Sequence, residues 1–169
     1  ALVVGNKSTE IFLEESWITI STPLYMATLT NRSGGSFVSY IIKGDPLEKR
    51  KYLGGYNDVG LFNPDLPVSL IIQSDTACLP CLASYDERAG KYIYFNQPFS
   101  LLNYSGTDTL FLERDEHLEL IYKMINKDGD ELITKSVIFS GNSYISNHVF
   151  SINNSGLDLP GNIELVWEG

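Results

Sequence analysis

Residues 29–44, LTNRSGGSFVSYIIKG, decide the fold. Two runs of alternating apolar and polar residues meet at Ser33-Gly34-Gly35-Ser36. Alternation of this kind is the two-residue period of a half-buried β-strand. The glycines between the runs have two readings, a phosphate-cradling loop or a turn. A phosphate loop sets its glycines between a strand and a helix N-terminus, where free backbone N–H groups meet the anion. Here a second strand-like run follows, with neither the GxGxxG spacing nor a following Lys-Ser/Thr. Gly34 and Gly35 are therefore expected to turn the chain, for backbone conformation alone.

The same period continues outward. Trp17, Thr19 and Ser21 alternate with Ser16, Ile18 and Ile20 before Pro23, and Tyr25, Ala27, Leu29 and Asn31 alternate with Met26, Thr28, Thr30 and Arg32. Residues 44–67, GDPLEKRKYLGGYNDVGLFNPDLP, are rich in glycine and proline, show no sustained period, and read as a long irregular loop. Strand-like runs resume at 68–73, 91–96, 109–114, 118–126, 132–139, 144–153 and 163–167. Asp128-Gly129, Gly141-Asn142-Ser143 and Asn153-Asn154-Ser155-Gly156 punctuate them, and Asp128-Gly129 is the clearest hairpin turn. About ten strands, tight turns and no amphipathic helix predict an all-β, antiparallel two-sheet sandwich, with residues 1–169 as one domain.

Bulk properties fit that fold and narrow the function. At 169 residues the chain is long enough to bury a sizeable core. Ten Tyr, eight Phe and two Trp, together with many Val, Ile and Thr, suit a pleated surface. Twelve basic against twenty-one acidic residues leave a net charge of −9, which repels a nucleic-acid backbone and an anionic bilayer. No apolar run approaches the length that spans a membrane. The first ten residues, ALVVGNKSTE, lack the basic and apolar regions of an intact signal peptide.

Candidate chemistry is sparse. Cys78-Leu79-Pro80-Cys81 is a CxxC motif, expected as a disulfide or a pair of free thiols in a surface loop. Zinc would need two further ligands, and His117 and His148 stand apart without metal-ligand spacing. A redox-active dithiol needs its first cysteine at a helix N-terminus, a context missing here. Carboxylates at Glu10, Glu14 and Glu15, at Glu113, Asp115 and Glu116, and at Asp128, Asp130 and Glu131 lack calcium-loop spacing and read as solvated turns. Lys49-Arg50-Lys51 is too short for a lipid-binding patch. These patterns nominate no catalytic residue, metal ligand or cofactor. Trp17, Tyr92, Tyr94 and Trp167 are candidates for stacking a sugar in an alternative, carbohydrate-binding reading.

Three stretches carry a family likeness. ITISTPLYMATLTNRSGGSFVSYIIKG (18–44) resembles the entry to the large periplasmic domain of the YidC family of membrane protein insertases, where two strands meet at an Asn/Ser-x-x-Gly-Gly turn. Asp128-Gly129, then Thr134-Lys135-Ser136-Val137-Ile138-Phe139, Tyr144 and Asn153 are similar to that domain's Thr-Lys-x-x-x-Phe strand and its sequel. Ile163-Glu164-Leu165-Val166-Trp167-Glu168-Gly169 is similar to its Leu-x-Trp strand. The middle of the chain matches only loosely, and the CxxC lies outside the family pattern.

The resemblance implies a galactose-mutarotase-like β-supersandwich in the periplasm, excised from a parent embedded in the bacterial inner membrane. It further implies a non-catalytic binding or scaffold module whose partners are accessory subunits of the Sec translocon and nascent membrane proteins. The insertion chemistry of that family resides in transmembrane helices, so no catalytic residue carries over.

Overall fold

The computed structural model describes residues 13–44, 52–57, 59–71, 77–105, 109–153, 157 and 161–167. Among them lie thirteen strands: β1 (Trp17–Ser21), β2 (Tyr25–Thr30), β3 (Ser36–Ile42), β4 (Leu53–Tyr56), β5 (Phe62–Pro67), β6 (Cys81–Asp86) and β7 (Lys91–Tyr94) in the first half. β8 (Ser100–Leu101), β9 (Thr109–Phe111), β10 (His117–Ile125), β11 (Glu131–Ser140), β12 (Asn147–Ile152) and β13 (Ile163–Val166) follow. No described residue is helical.

Two four-stranded sheets, β3-β2-β1-β9 and β12-β11-β10-β8, form the sandwich. Period-two patterning decides their inner faces. β10 buries Leu118, Leu120, Tyr122 and Met124, and β11 buries Ile133, Lys135, Val137 and Phe139. Opposite them stand Ile18 and Ile20 of β1, Tyr25, Ala27 and Leu29 of β2, and Phe37 and Tyr40 of β3. The Phe37 and Phe139 rings meet edge to face at 6.2 Å. The Tyr25 hydroxyl donates to Ser140 O at 3.3 Å and the Tyr40 hydroxyl to Tyr144 O at 2.7 Å, so these two tyrosines satisfy their polar tips across the sandwich. Leu79, Leu82 and Phe95 extend the same core toward a third sheet, β13-β6-β7. The molecule is an all-β sandwich.

Several expectations need correction. The sheets are not wholly antiparallel, because β1 pairs with β9 in parallel through Thr19–Ser21 and Thr109–Phe111. Residues 44–67 do not form an irregular loop throughout, since β4 and β5 build a hairpin. Its glycines encode geometry: a Cβ on Gly55 would sit 2.3 Å from Pro67 O. Pro64 and Pro67 are tolerated because a two-stranded ribbon leaves edge positions that need no N–H donor. The run expected at 68–73 reduces, among described residues, to a bridge between Ser69 and Ile41. β6 escaped notice because Cys81–Ser84 are all buried, and a strand covered on both faces shows no alternation.

Candidate functional site

The Ser33-Gly34-Gly35 turn holds a cation, and the cation belongs to the protein itself. β11 carries Lys135 in the inward register between Ile133 and Val137, and it is 0% exposed. Its ammonium has three N–H donors, and three carbonyls receive them: Ser33 O at 3.2 Å, Gly35 O at 3.1 Å and Pro80 O at 2.8 Å. The Phe150 ring, cross-strand neighbour on β12, lies 5.0 Å from Nζ. Burial pushes the Lys135 amine down to about 7, because desolvation disfavours the charged form. The carbonyl dipoles act the other way, since each accepts a hydrogen from the ammonium.

The glycines make this cradle possible. Ser33, Gly34 and Gly35 have φ values of +54°, +67° and +86°, a left-handed run that turns the Ser33 and Gly35 carbonyls toward Lys135. A Cβ on Gly34 would approach Phe99 Cδ2 to 2.9 Å, and one on Gly35 would approach Tyr122 Cε2 to 2.6 Å. Ser33 and Ala77 are both non-glycine residues at positive φ, and the Ser33 hydroxyl donates to Ala77 O at 2.5 Å. Such conformations persist where surrounding contacts over-determine them.

Those contacts come from the CxxC loop. Leu79 N donates to Ser36 Oγ at 2.8 Å, and Phe37 N donates to Leu79 O at 3.0 Å. Cys78 and Cys81 form a disulfide with Cα atoms 4.6 Å apart. Both cysteines are fully buried, which corrects the expectation of a surface loop. Leu79-Pro80 is a cis peptide. A disulfide carries no thiolate, so the bonded pair offers no activated nucleophile in this state.

The other singled-out residues lie elsewhere. Asp128-Gly129 forms the exposed turn between β10 and β11, where Asn126 Oδ1 accepts from the amides of Asp128 and Asp130 at 2.9 and 2.8 Å. His148 contacts Phe37 and Trp167 edge to face, and burial, followed by the Lys135 charge, lowers it to about 3. His117 pairs with Ser140 at the start of β10, so the histidines do not converge. Glu15 accepts from the Thr30 hydroxyl at 2.7 Å, and Glu116 accepts from Glu113 N at 2.7 Å, local structural bonds in both cases. Among described residues no cluster of His, Cys, Asp and Glu could hold a metal ion. Glu10 and Lys49-Arg50-Lys51 lie outside the described residues.

Of the four aromatic candidates, the structure brings Tyr92 and Tyr94 together, sets the Trp167 ring against His148 and places Trp17 at the start of β1 in a different sheet. Tyr85 and Tyr92, directly paired across β6 and β7, have ring centroids 5.1 Å apart, and Tyr92 and Tyr94 are at 6.0 Å. Tyr92 donates to Glu164 at 3.0 Å, a bond that raises its ionisation above the ordinary tyrosine value. Tyr85 and Tyr92 are partly exposed on this outer face, and the β4–β5 hairpin exposes Tyr56, Val59, Leu61 and Phe62. No described helix is long and apolar enough to cross a membrane. No family model, curated protein or solved structure matches the chain.

Lys135 is the residue that sequence reasoning passed over as chemistry. Its signal was available: in Ile133-Thr134-Lys135-Ser136-Val137-Ile138-Phe139 the lysine occupies the register of the apolar residues.

Proposed function

We propose that this chain is a non-catalytic binding or scaffold module of a YidC-type membrane protein insertase, on the periplasmic side of the bacterial inner membrane. One observation carries the reading. The Gly-Gly turn and the Thr-Lys strand, two of the stretches that resemble the family and lie a hundred residues apart, meet at one buried contact between Lys135 and the turn carbonyls. A motif pair that functions as one structural unit is a stronger likeness than two short strings. The exposed apolar hairpin and tyrosine face supply surface for partners, which on this reading are Sec accessory subunits and nascent membrane proteins.

Photo-crosslinking in cells tests it, with a benzophenone amino acid at Phe62 and, separately, at Tyr92. Adducts with inner-membrane substrates or translocon subunits are expected. Adducts confined to unrelated soluble proteins would sink the reading.

The clustered tyrosines favour a second reading, a carbohydrate-binding or mutarotase-like domain, because aromatic rings with an adjacent carboxylate suit a sugar's apolar face and hydroxyls. Titration with hexoses, followed by amide NMR shifts of Tyr85, Tyr92 and Tyr94, separates the two. Shifts confined to this face support sugar binding, and their absence leaves the scaffold reading alone.

A further inference from the structure

We propose that the Cys78–Cys81 disulfide is a redox-sensitive latch on the Lys135 cradle, so that its reduction opens this junction and leaves the rest of the sandwich paired. Every residue from Ala77 to Pro80 contributes to the junction. Ala77 O accepts from the Ser33 hydroxyl, and Cys78 Sγ lies 3.6 Å from Val166 O of β13. Leu79 uses both backbone groups on Ser36 and Phe37, and Pro80 O accepts from Lys135. The disulfide closes the loop from Cys78 to Cys81 and holds the Pro80 carbonyl inside it in place. Cys81 also begins β6, opposite Val166, so the bond fixes where the third sheet joins the sandwich.

The far side of the sandwich depends on other contacts. Tyr25 bonds Ser140, Tyr40 bonds Tyr144, and β10 pairs β11 along nine residues. None of these involves the CxxC loop. Loss of the latch therefore releases one junction and not the whole fold.

The co-reactant is a dithiol. Its thiolate attacks one cysteine sulfur and breaks the S–S bond, and the other cysteine leaves as a thiolate that takes a proton. The second thiol then attacks the mixed disulfide and releases the first cysteine. The protein gains two electrons and two protons, and the dithiol becomes a cyclic disulfide. Both cysteines are buried, so attack requires the loop to open first, and reduction is slow in the native state.

The test treats the 169-residue chain with dithiothreitol, follows reduction by intact mass, and measures Lys135 acylation by an amine-reactive ester alongside amide hydrogen exchange. In the oxidised protein Lys135 is protected. On reduction its acylation rate rises by about tenfold or more, corresponding to about 1.4 kcal/mol of local opening. The Phe37 and Leu79 amides lose protection while those of β10 keep theirs. Full reduction with unchanged Lys135 acylation would overturn the latch. So would simultaneous loss of protection in β10, which would make the bond a staple of the entire fold. If the native bond resists the reductant, the Cys78→Ser/Cys81→Ser variant is measured in its place against the same two outcomes, and failure of that variant to fold counts as the second.

Discussion

Two of the glycine turns that join strands here, at Gly35 and at Gly129, do different work. Gly129, at φ +90°, turns the β10–β11 hairpin in solvent, and a Cβ built on it would touch nothing within 4 Å. Gly35, at φ +86°, has nearly the same backbone, yet a Cβ there would drive into the Tyr122 ring at 2.6 Å. One glycine satisfies a dihedral requirement. The other satisfies that requirement and also lets the chain approach a packed ring while its carbonyl binds Lys135. Equal φ values therefore conceal unequal consequences, and the difference lies in the neighbours.

Substituting Gly35→Ala should have the largest effect. Left-handed backbone costs a residue with a Cβ about 1–2 kcal/mol, and overpacking against a buried ring adds about 1–3 kcal/mol. A loss of about 2–5 kcal/mol is a large share of the about 5–15 kcal/mol that holds a typical domain together. Urea unfolding checks it. A midpoint unchanged from wild type would mean that the turn does not pack against Tyr122.

Next comes Lys135→Met, which keeps the aliphatic stem and removes the charge. Orphaning the Ser33, Gly35 and Pro80 carbonyls is destabilising, while removing a desolvated ammonium is favourable, so the net loss near neutral pH should be about 1–3 kcal/mol. The pH dependence carries the sharper signature. Between about 7 and the ordinary lysine value of 10.5, the unfolded state binds a proton that the folded state has released. Wild-type stability should therefore rise with pH across that window, by at most about 1.4 kcal/mol per pH unit from this group.

Above pH 10 the sign reverses. Burial raises Tyr25 to about 12 and pushes Tyr40 and Tyr122 up as well, so the unfolded chain ionises first and stability falls. Denaturant midpoints measured from about pH 7 to pH 11 should pass through a maximum near pH 10. In the Lys135→Met variant the rise should flatten while the fall remains. A wild-type profile level between about pH 7 and 10 would contradict the buried-amine account.

The turns also show what the sequence could convey. Alternation along Tyr25–Arg32, Phe37–Lys43 and Leu118–Asn126 exposes the sandwich directly, because each strand has one wet and one dry face. β6 has no such contrast, and β4–β5 hides behind glycines and prolines whose purpose is visible only beside their neighbours. The pairing of Gly35 with Lys135 spans a hundred positions, and local pattern carries no information at that range. What remained readable was the anomaly of a lysine in an apolar register. Read as a charge awaiting partners, it would have pointed to a ring of carbonyls, but not to which ones.

Replacing Gly129→Ala tests the other side of the comparison. With open space around the Cβ, only the backbone term remains, and the loss should be about 1–2 kcal/mol, below that of Gly35→Ala. Equal losses at the two sites would show that Tyr122 yields to the added methyl.

The smallest effect, and the most direct probe of that ring, is Tyr122→Phe. The Tyr122 hydroxyl is buried and finds no hydrogen-bond partner among described residues. An unmet buried hydroxyl is a net penalty, so deleting it while keeping the ring should leave stability unchanged or raise it by up to about 1 kcal/mol. Combined with Gly35→Ala, the same deletion should not relieve the clash, because the approach is to Cε2 and Cζ of the ring and not to the oxygen. A double-mutant cycle with a coupling energy indistinguishable from zero is the expected outcome. Marked relief would locate the conflict at the hydroxyl and require a different position for the ring.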